Sequence, residues 1–305
     1  MKVALLVGNR RWVNPTAPWQ PIARGLMRLG CQVHVIQPPR DGRLGFDLDV
    51  AMVWNGMKPP AAAHVDRLRR SGKQVLILER GFFDRDRHVQ IDPAGFNHMA
   101  SWAEQLATTR PPGKGAERFF RVWGARPSPM QSRDHGEILI LCQVDSDAQL
   151  RDCPIHHAQH FVQAVLDASP CGIDINIRPH PAGQFKHPLA RKESLAQAVG
   201  RARFCVTLNS NAANEAIARG CPVLTLGPSL AAAAGVSLPG RLDRLDTDLQ
   251  TMIDGWHPDS SAARNFLYHL ASRQYDNAEL AEAGCLAPYL KLENMHGHPP
   301  AIEPV

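Results

Sequence analysis

Phe204-Cys205-Val206-Thr207-Leu208-Asn209-Ser210-Asn211-Ala212-Ala213-Asn214-Glu215-Ala216-Ile217-Ala218-Arg219-Gly220-Cys221-Pro222-Val223-Leu224-Thr225-Leu226-Gly227 is the stretch on which the fold turns. It opens on an apolar run short enough for a buried strand, breaks at the polar cluster Asn209-Ser210-Asn211, and resumes as a helix with both ends marked. Ser210 or Asn211 can cap the free N–H groups, Glu215 lies near the positive end of the dipole, and Arg219 occupies the last turn before Gly220 and Pro222. Val223-Leu224-Thr225-Leu226 is a second strand. Two apolar strands joined by a short helix predict a β-α-β unit with parallel strands and a right-handed crossover.

Upstream, Ile173-Asp174-Ile175-Asn176-Ile177 alternates as a strand does and then breaks into Arg178-Pro179-His180-Pro181. The two prolines remove N–H donors and stiffen the backbone, so the imidazole stands on a rigid turn. Glu137 to Cys142 is a further strand, running into Gln143-Val144-Asp145-Ser146-Asp147. Ligands of open α/β sheets sit beyond the carboxyl ends of the strands, which makes His180, Asn209 and Ser210 candidates to face one crevice.

The amino-terminal part repeats the rhythm. Lys2 to Val7 reads as a central strand ending at Gly8-Asn9-Arg10-Arg11, Trp19 to Leu29 as a helix, and Gln32 to Ile36 as a strand. Asp49 to Trp54 and Gln74 to Leu78 are strands about a helix from Ala61 to Arg70. The first loop has neither dinucleotide nor Walker spacing. Residues 81 to 105, with Phe82-Phe83, Asp84 and Ile91-Asp92-Pro93-Ala94-Gly95-Phe96-Asn97, have no clear period and read as a functional loop beside strand ends. From Thr108 to His135 prolines, glycines and arginines accumulate. Arg110, Lys114, Arg118, Arg121 and Arg126, with Phe119 and Trp123, are a candidate basic strip for nucleic acid. After Gly227, the small residues Ala231 to Gly235 suggest a tight turn or a close ligand approach. Helices are expected over 242–253, 262–271 and 275–290.

At 305 residues the chain suits two α/β domains, expected at 1–128 and 129–290, with a mobile tail at 291–305. The formal charge of +5 is spread along the chain and favours anionic ligands only mildly. Seven cysteines, none in a C-x-x-C pair, are expected reduced in a cytoplasmic protein. His156, His157 and His160 crowd at a helix start but lack an acid at a zincin spacing, so no metal is expected. No stretch has the apolar length of a membrane span, and the amino terminus turns polar too soon for a signal peptide.

Taken in order, Trp54-x-Gly56-x-Lys58, Glu79-Arg80-Gly81, Ile91-Asp92-Pro93-x-Gly95-Phe96-Asn97, Arg178-Pro179-His180-Pro181 and Ser210-x5-Ala216-x3-Gly220-x-Pro222-Val223 resemble the capsule polysaccharide biosynthesis (Kdo-transferase-like) glycosyltransferases. The His-Pro pair is also similar to that of GT-B sialyltransferases. The resemblance implies a GT-B-like fold: two Rossmann-like domains with parallel sheets facing a central cleft. It implies metal-independent transfer of a sugar from a nucleotide-sugar, a CMP-sugar before UDP or GDP forms, with no cofactor. His180, Arg178, Asn209, Ser210, Asn211 and Glu215 would then hold the donor, Glu215 through the ribose hydroxyls. The acceptor hydroxyl, on a glycan or on a hydroxylated base in DNA, needs a carboxylate, and Asp92 or Glu79 is expected to supply it. The rival readings are a sugar-nucleotide 2-epimerase and a nucleic-acid-binding protein without catalysis.

Overall fold

The computed structural model describes residues 1–7, 17–38, 47–56 and 61–290. The loop at Asn9, Lys58 of the Trp54–Lys58 motif and the tail expected at 291–305 lie outside the described residues. The chain divides into two compact units. One comprises Met1–Glu79, Ile91–Ala94 and the chain from Tyr275 onward; the other comprises Arg80–Gln90 and Gly95–Gln274. The linker-like region around residue 129 falls within the second.

The elements in order are β1 (Lys2–Leu6), α1 (Trp19–Arg28), β2 (Gln32–Ile36), β3 (Val50–Trp54), α2 (Ala61–Arg70), β4 (Gln74–Arg80) and β5 (His88–Asp92). Then come α3 (Gly115–Trp123), β6 (Glu137–Leu141), α4 (Ala158–Ala168), β7 (Ile175–Arg178), α5 (Leu195–Arg201), β8 (Ala202–Thr207), α6 (Ala212–Ala218), β9 (Val223–Thr225) and α7 (Leu230–Ala233). β10 (Leu238–Pro239), α8 (Leu245–Ile253), α9 (Ser260–Ser272), β11 (Gln274–Asp276) and α10 (Asn277–Ala281) complete the series. Two sheets result, ordered β11-β5-β4-β3-β1-β2 and β10-β9-β8-β6-β7. β1, β2, β3 and β4 pair in parallel, as do all five strands of the second sheet. This is the GT-B-like α/β architecture expected.

In the first unit, β1 and β3 are buried along their length because helices cover the sheet. α1 packs on α10, and Gly25 sits where a Cβ would run into the Leu280 carbonyl, so the two backbones meet only through a glycine. In the second unit the sheet is sandwiched between two apolar clusters. One holds Phe83, Phe119, Phe266 and Leu267, the other Ile138, Ile140, Phe161 and Val206.

Two expectations are corrected, those for 275–290 and for 88–92. Residues 275–290 do not form one helix: Tyr275 belongs to β11, and a capping box between Asp276 and Glu279 starts α10 only at Asn277. Ala283, at a φ of 72°, then reverses the chain soon after α10 ends at Ala281. Ser229 caps the Ala232 N–H at 3.1 Å and starts α7, and the expected tight turn follows at Ala234 and Gly235, the latter at a φ of 68°. Within the aperiodic 81–105 segment, residues 88–92 are a strand. Of the basic strip, α3 buries Phe119 against Phe83 and Tyr268 and commits Arg118 to the carbonyls of Ala271 and Gln274, while Arg110, Lys114, Arg121 and Arg126 stay exposed.

Candidate functional site

Strand register sets the site. Leu141 of β6 lies level with Arg178 of β7 on one side and Thr207 of β8 on the other. The three strands therefore end together, and their following loops, at Cys142, Pro179-His180 and Leu208 to Asn211, emerge on one edge of the second unit. A hollow of about 230 Å³ lies there, far above the ~10–15 Å³ that one water needs. Arg178, His180, Ser210, Asn211 and Glu215 line it, together with Leu195 and Arg85.

Local bonds fix four of the lining groups. His180 Nδ1 accepts the Ala182 N–H at 3.1 Å, which leaves the proton on Nε2 as a donor. Burial, with a smaller contribution from the nearby Arg85 and Arg178, pushes the His180 pKa down against the pull of Asp147, so the ring is neutral near pH 7. Arg178 donates to the Glu193 carbonyl at 2.7 Å. Glu193 is itself held by Asn176 at 2.9 Å and by Arg201. The Ser210 N–H donates to Thr207 Oγ1 at 3.3 Å, and the Ser210 hydroxyl oxygen accepts from Ala212 N–H at 3.2 Å. Asn211 donates to the Phe82 carbonyl at 2.8 Å and accepts from Asn214 at 3.1 Å.

Asn209 is drawn elsewhere. Its side chain donates to the carbonyls of Gln149 and Pro228 at 2.7 and 3.1 Å and accepts from Gln143 at 3.1 Å. At 2 % exposure it is a tie between loops rather than a wall of the hollow. A second, narrower hollow of about 20 Å³ does touch it, along with Asn97, Gln149, Ser210, Asn211 and Arg85. Asn97, at a φ of 54°, holds Gln149 at 2.6 Å and accepts the Leu230 N–H at 3.1 Å. Composition gave no sign of this amide lattice, although Gly95-Phe96-Asn97 stood out as a motif.

Burial raises the Glu215 pKa above the ordinary glutamate value, with Arg219, Arg85 and Arg178 opposing it. A raised folded-state pKa means that the contribution to stability is complete below the unfolded value and is lost as pH rises through the folded one. Burial of Glu215 therefore costs stability at pH 7 that it does not cost in acid. Glu215→Gln is expected to raise the melting temperature by about 1–3 °C at pH 7 and by less at pH 4, as followed by circular dichroism.

The two carboxylates expected to act on the acceptor lie in the first unit. Glu79, near the end of β4, accepts from Asn55 Nδ2 at 2.7 Å, and Asn55 adopts a φ of 64° to reach it. Asp92, at the end of β5, accepts the Ala94 N–H at 2.7 Å. Away from these groups, Asp145 Oδ1 accepts the Ala158 N–H at 2.8 Å at the start of α4, with His157 3.2 Å from its other oxygen. Among the described residues no cluster of three or more His, Cys, Asp or Glu side chains is arranged to hold a metal. All seven cysteines are free, and no described helix is long and apolar enough to cross a membrane.

No protein-family model matches the chain. It is 25% identical to Protein FixF of Sinorhizobium fredii (strain NBRC 101917 / NGR234) over 284 residues, covering 82% of this chain and 67% of that protein. Among solved structures it superimposes on the Thermosulfurimonas dismutans KpsC beta Kdo 2,7 transferase with a TM-score of 0.55 at 18% identity, covering 88% of this chain and 98% of the other. The beta Kdo 2,4 transferase of the same KpsC gives a TM-score of 0.54 at 17% identity with the same coverage. The two-sheet α/β fold of this chain is thus the fold of the KpsC transferases.

Proposed function

We propose that the protein is a glycosyltransferase whose second unit binds a nucleotide-sugar, a CMP-sugar in first place, in the hollow at the ends of β6, β7 and β8. One observation carries this reading: a single hollow is lined by two guanidiniums, a neutral imidazole with its Nε2–H available, a serine hydroxyl, an amide and one carboxylate. Those groups suit a phosphate beside a hydroxylated ring without needing a metal. The fold shared with two Kdo transferases supports the reading. In the reaction an acceptor oxygen bonds to the anomeric carbon, the bond from that carbon to the phosphate oxygen breaks, and the nucleotide leaves with the bonding pair. The acceptor proton passes to a carboxylate, proposed to be Glu79 or Asp92. Glu215 takes the ribose hydroxyls, and a glycan hydroxyl is the preferred acceptor.

A thermal-shift panel of CMP, UDP, GDP and dTDP tests the donor site. At a hundredfold excess over Kd a ligand stabilises by about 2.7 kcal/mol, or roughly 5–11 °C for a domain of this size. At least one nucleotide is expected to give such a shift, and His180→Ala to reduce it. No shift with any of the four would end the reading. Interconversion of free UDP-GlcNAc without an acceptor would replace it with epimerisation.

A further inference from the structure

Arg85 was not among the residues that the sequence singled out, yet it lines both of the hollows described above. The segment before it is built to hold it there. Phe82 and Phe83 are buried, Phe82 edge-on to Trp102 and Phe83 edge-on to Phe119 at 5.2 Å. Gln274 Oε1 accepts the N–H groups of both phenylalanines at 2.7 and 2.9 Å, its Nε2 donates to the Phe83 carbonyl at 3.1 Å, and Asn211 holds the Phe82 carbonyl. Asp84 then takes a φ of 44°, and the Arg87 N–H closes a turn on the Asp84 carbonyl at 3.0 Å. Arg85 is the second residue of that turn.

A turn pinned at its root by buried side chains and strained at its first residue fixes the direction of the next side chain. That side chain is a guanidinium, whose planar fork suits two oxygens of one phosphate. It shares the wall with Arg178, which projects from β7, so two cations converge on a space whose only lining carboxylate is Glu215. Their charge reaches both neighbours: Arg85 and Arg178 each oppose a proton on His180 and each favour the ionised form of Glu215.

From this geometry we infer that Arg85 is a phosphate-binding residue, clamping the nucleotide phosphate against Arg178, and that Asn211 and Gln274 position it. The inference rests on the donor reading above and extends it to a residue and to the chemical group that it grips.

The test compares each nucleotide with its own nucleoside, in the pairs CMP and cytidine, UDP and uridine, and GDP and guanosine, by calorimetric titration of the whole chain. Arg85→Ala is expected to weaken the bound nucleotide about 10–100-fold, as loss of a charge-assisted contact does, while nucleoside affinity stays unchanged. Arg85→Lys, which keeps charge but loses the fork, is expected to fall between. Equal nucleotide affinity in wild type and Arg85→Ala, or equal loss for nucleotide and nucleoside, overturns the clamp. If wild type binds no nucleotide, the donor reading fails by itself, and inorganic pyrophosphate then decides the clamp. Binding that Arg85→Ala abolishes upholds it; binding that is unchanged, or absent in wild type, overturns it.

Discussion

Replacing His180 by alanine is expected to lower sugar transfer about 100-fold, within the range seen when one donor to a developing negative charge is removed. The size follows from the state of the ring. Nδ1 is committed to the Ala182 N–H, and burial keeps the imidazole neutral, so the group offers one directed Nε2–H. Because a directed bond to the departing phosphate strengthens as charge develops, the loss should fall on kcat more than on KM. His180→Gln, whose amide nitrogen reaches a position near that of Nε2, should recover part of the rate, whereas His180→Lys, which supplies charge without the geometry, should not. Steady-state kinetics of the three variants measure this. An equal loss in alanine and glutamine variants would show that the N–H is not what matters.

The second large effect concerns stability. Gln274 is fully buried and supplies three hydrogen bonds to the backbone of Phe82 and Phe83. Gln274→Met preserves approximate size but leaves two N–H groups and a carbonyl without partners in an apolar cluster. At roughly 1–3 kcal/mol for each buried group left unsatisfied, with partial relaxation, the cost is about 3–5 kcal/mol. A fall in melting temperature of about 6–20 °C follows for a domain of this size. Chemical denaturation should show the loss as a lower midpoint at an unchanged slope. A variant within a degree of wild type would mean that these bonds are replaced.

What could be read from the chain and what could not divide along physical lines. The β-α-β unit from 204 to 226 was legible because its strands are continuous apolar runs and Gly220 ends its helix in a left-handed conformation, at a φ of 70°. That the loops after β6, β7 and β8 share an edge follows from parallel pairing alone. Arg85 was hidden because its place depends on Gln274, 191 residues from Phe83 in sequence, and no local pattern carries that bond. The bonds of Asn209 were hidden for a related reason: a polar residue at a strand end serves a ligand or a neighbouring loop equally well in sequence, and here Gln143 and Gln149 hold it beside the narrower hollow. The strand at 88–92 was missed between turn formers, and the helix predicted over 275–290 overran because its apolar spacing outweighed the Asp276–Glu279 box.

The meeting of α1 with α10 through Gly25 has a consequence for biogenesis. Synthesis reaches Asn277 only after the whole second unit has left the peptidyl-transferase centre, so the patch of α1 around Gly25 that meets α10 waits uncovered until then, while its contacts with β1 and β2 can form early. The unit that holds α1 is therefore completed only after the second unit has been made. Nascent chains stalled before α10 should recruit holdase chaperones through that patch of α1, and chains that include α10 should not.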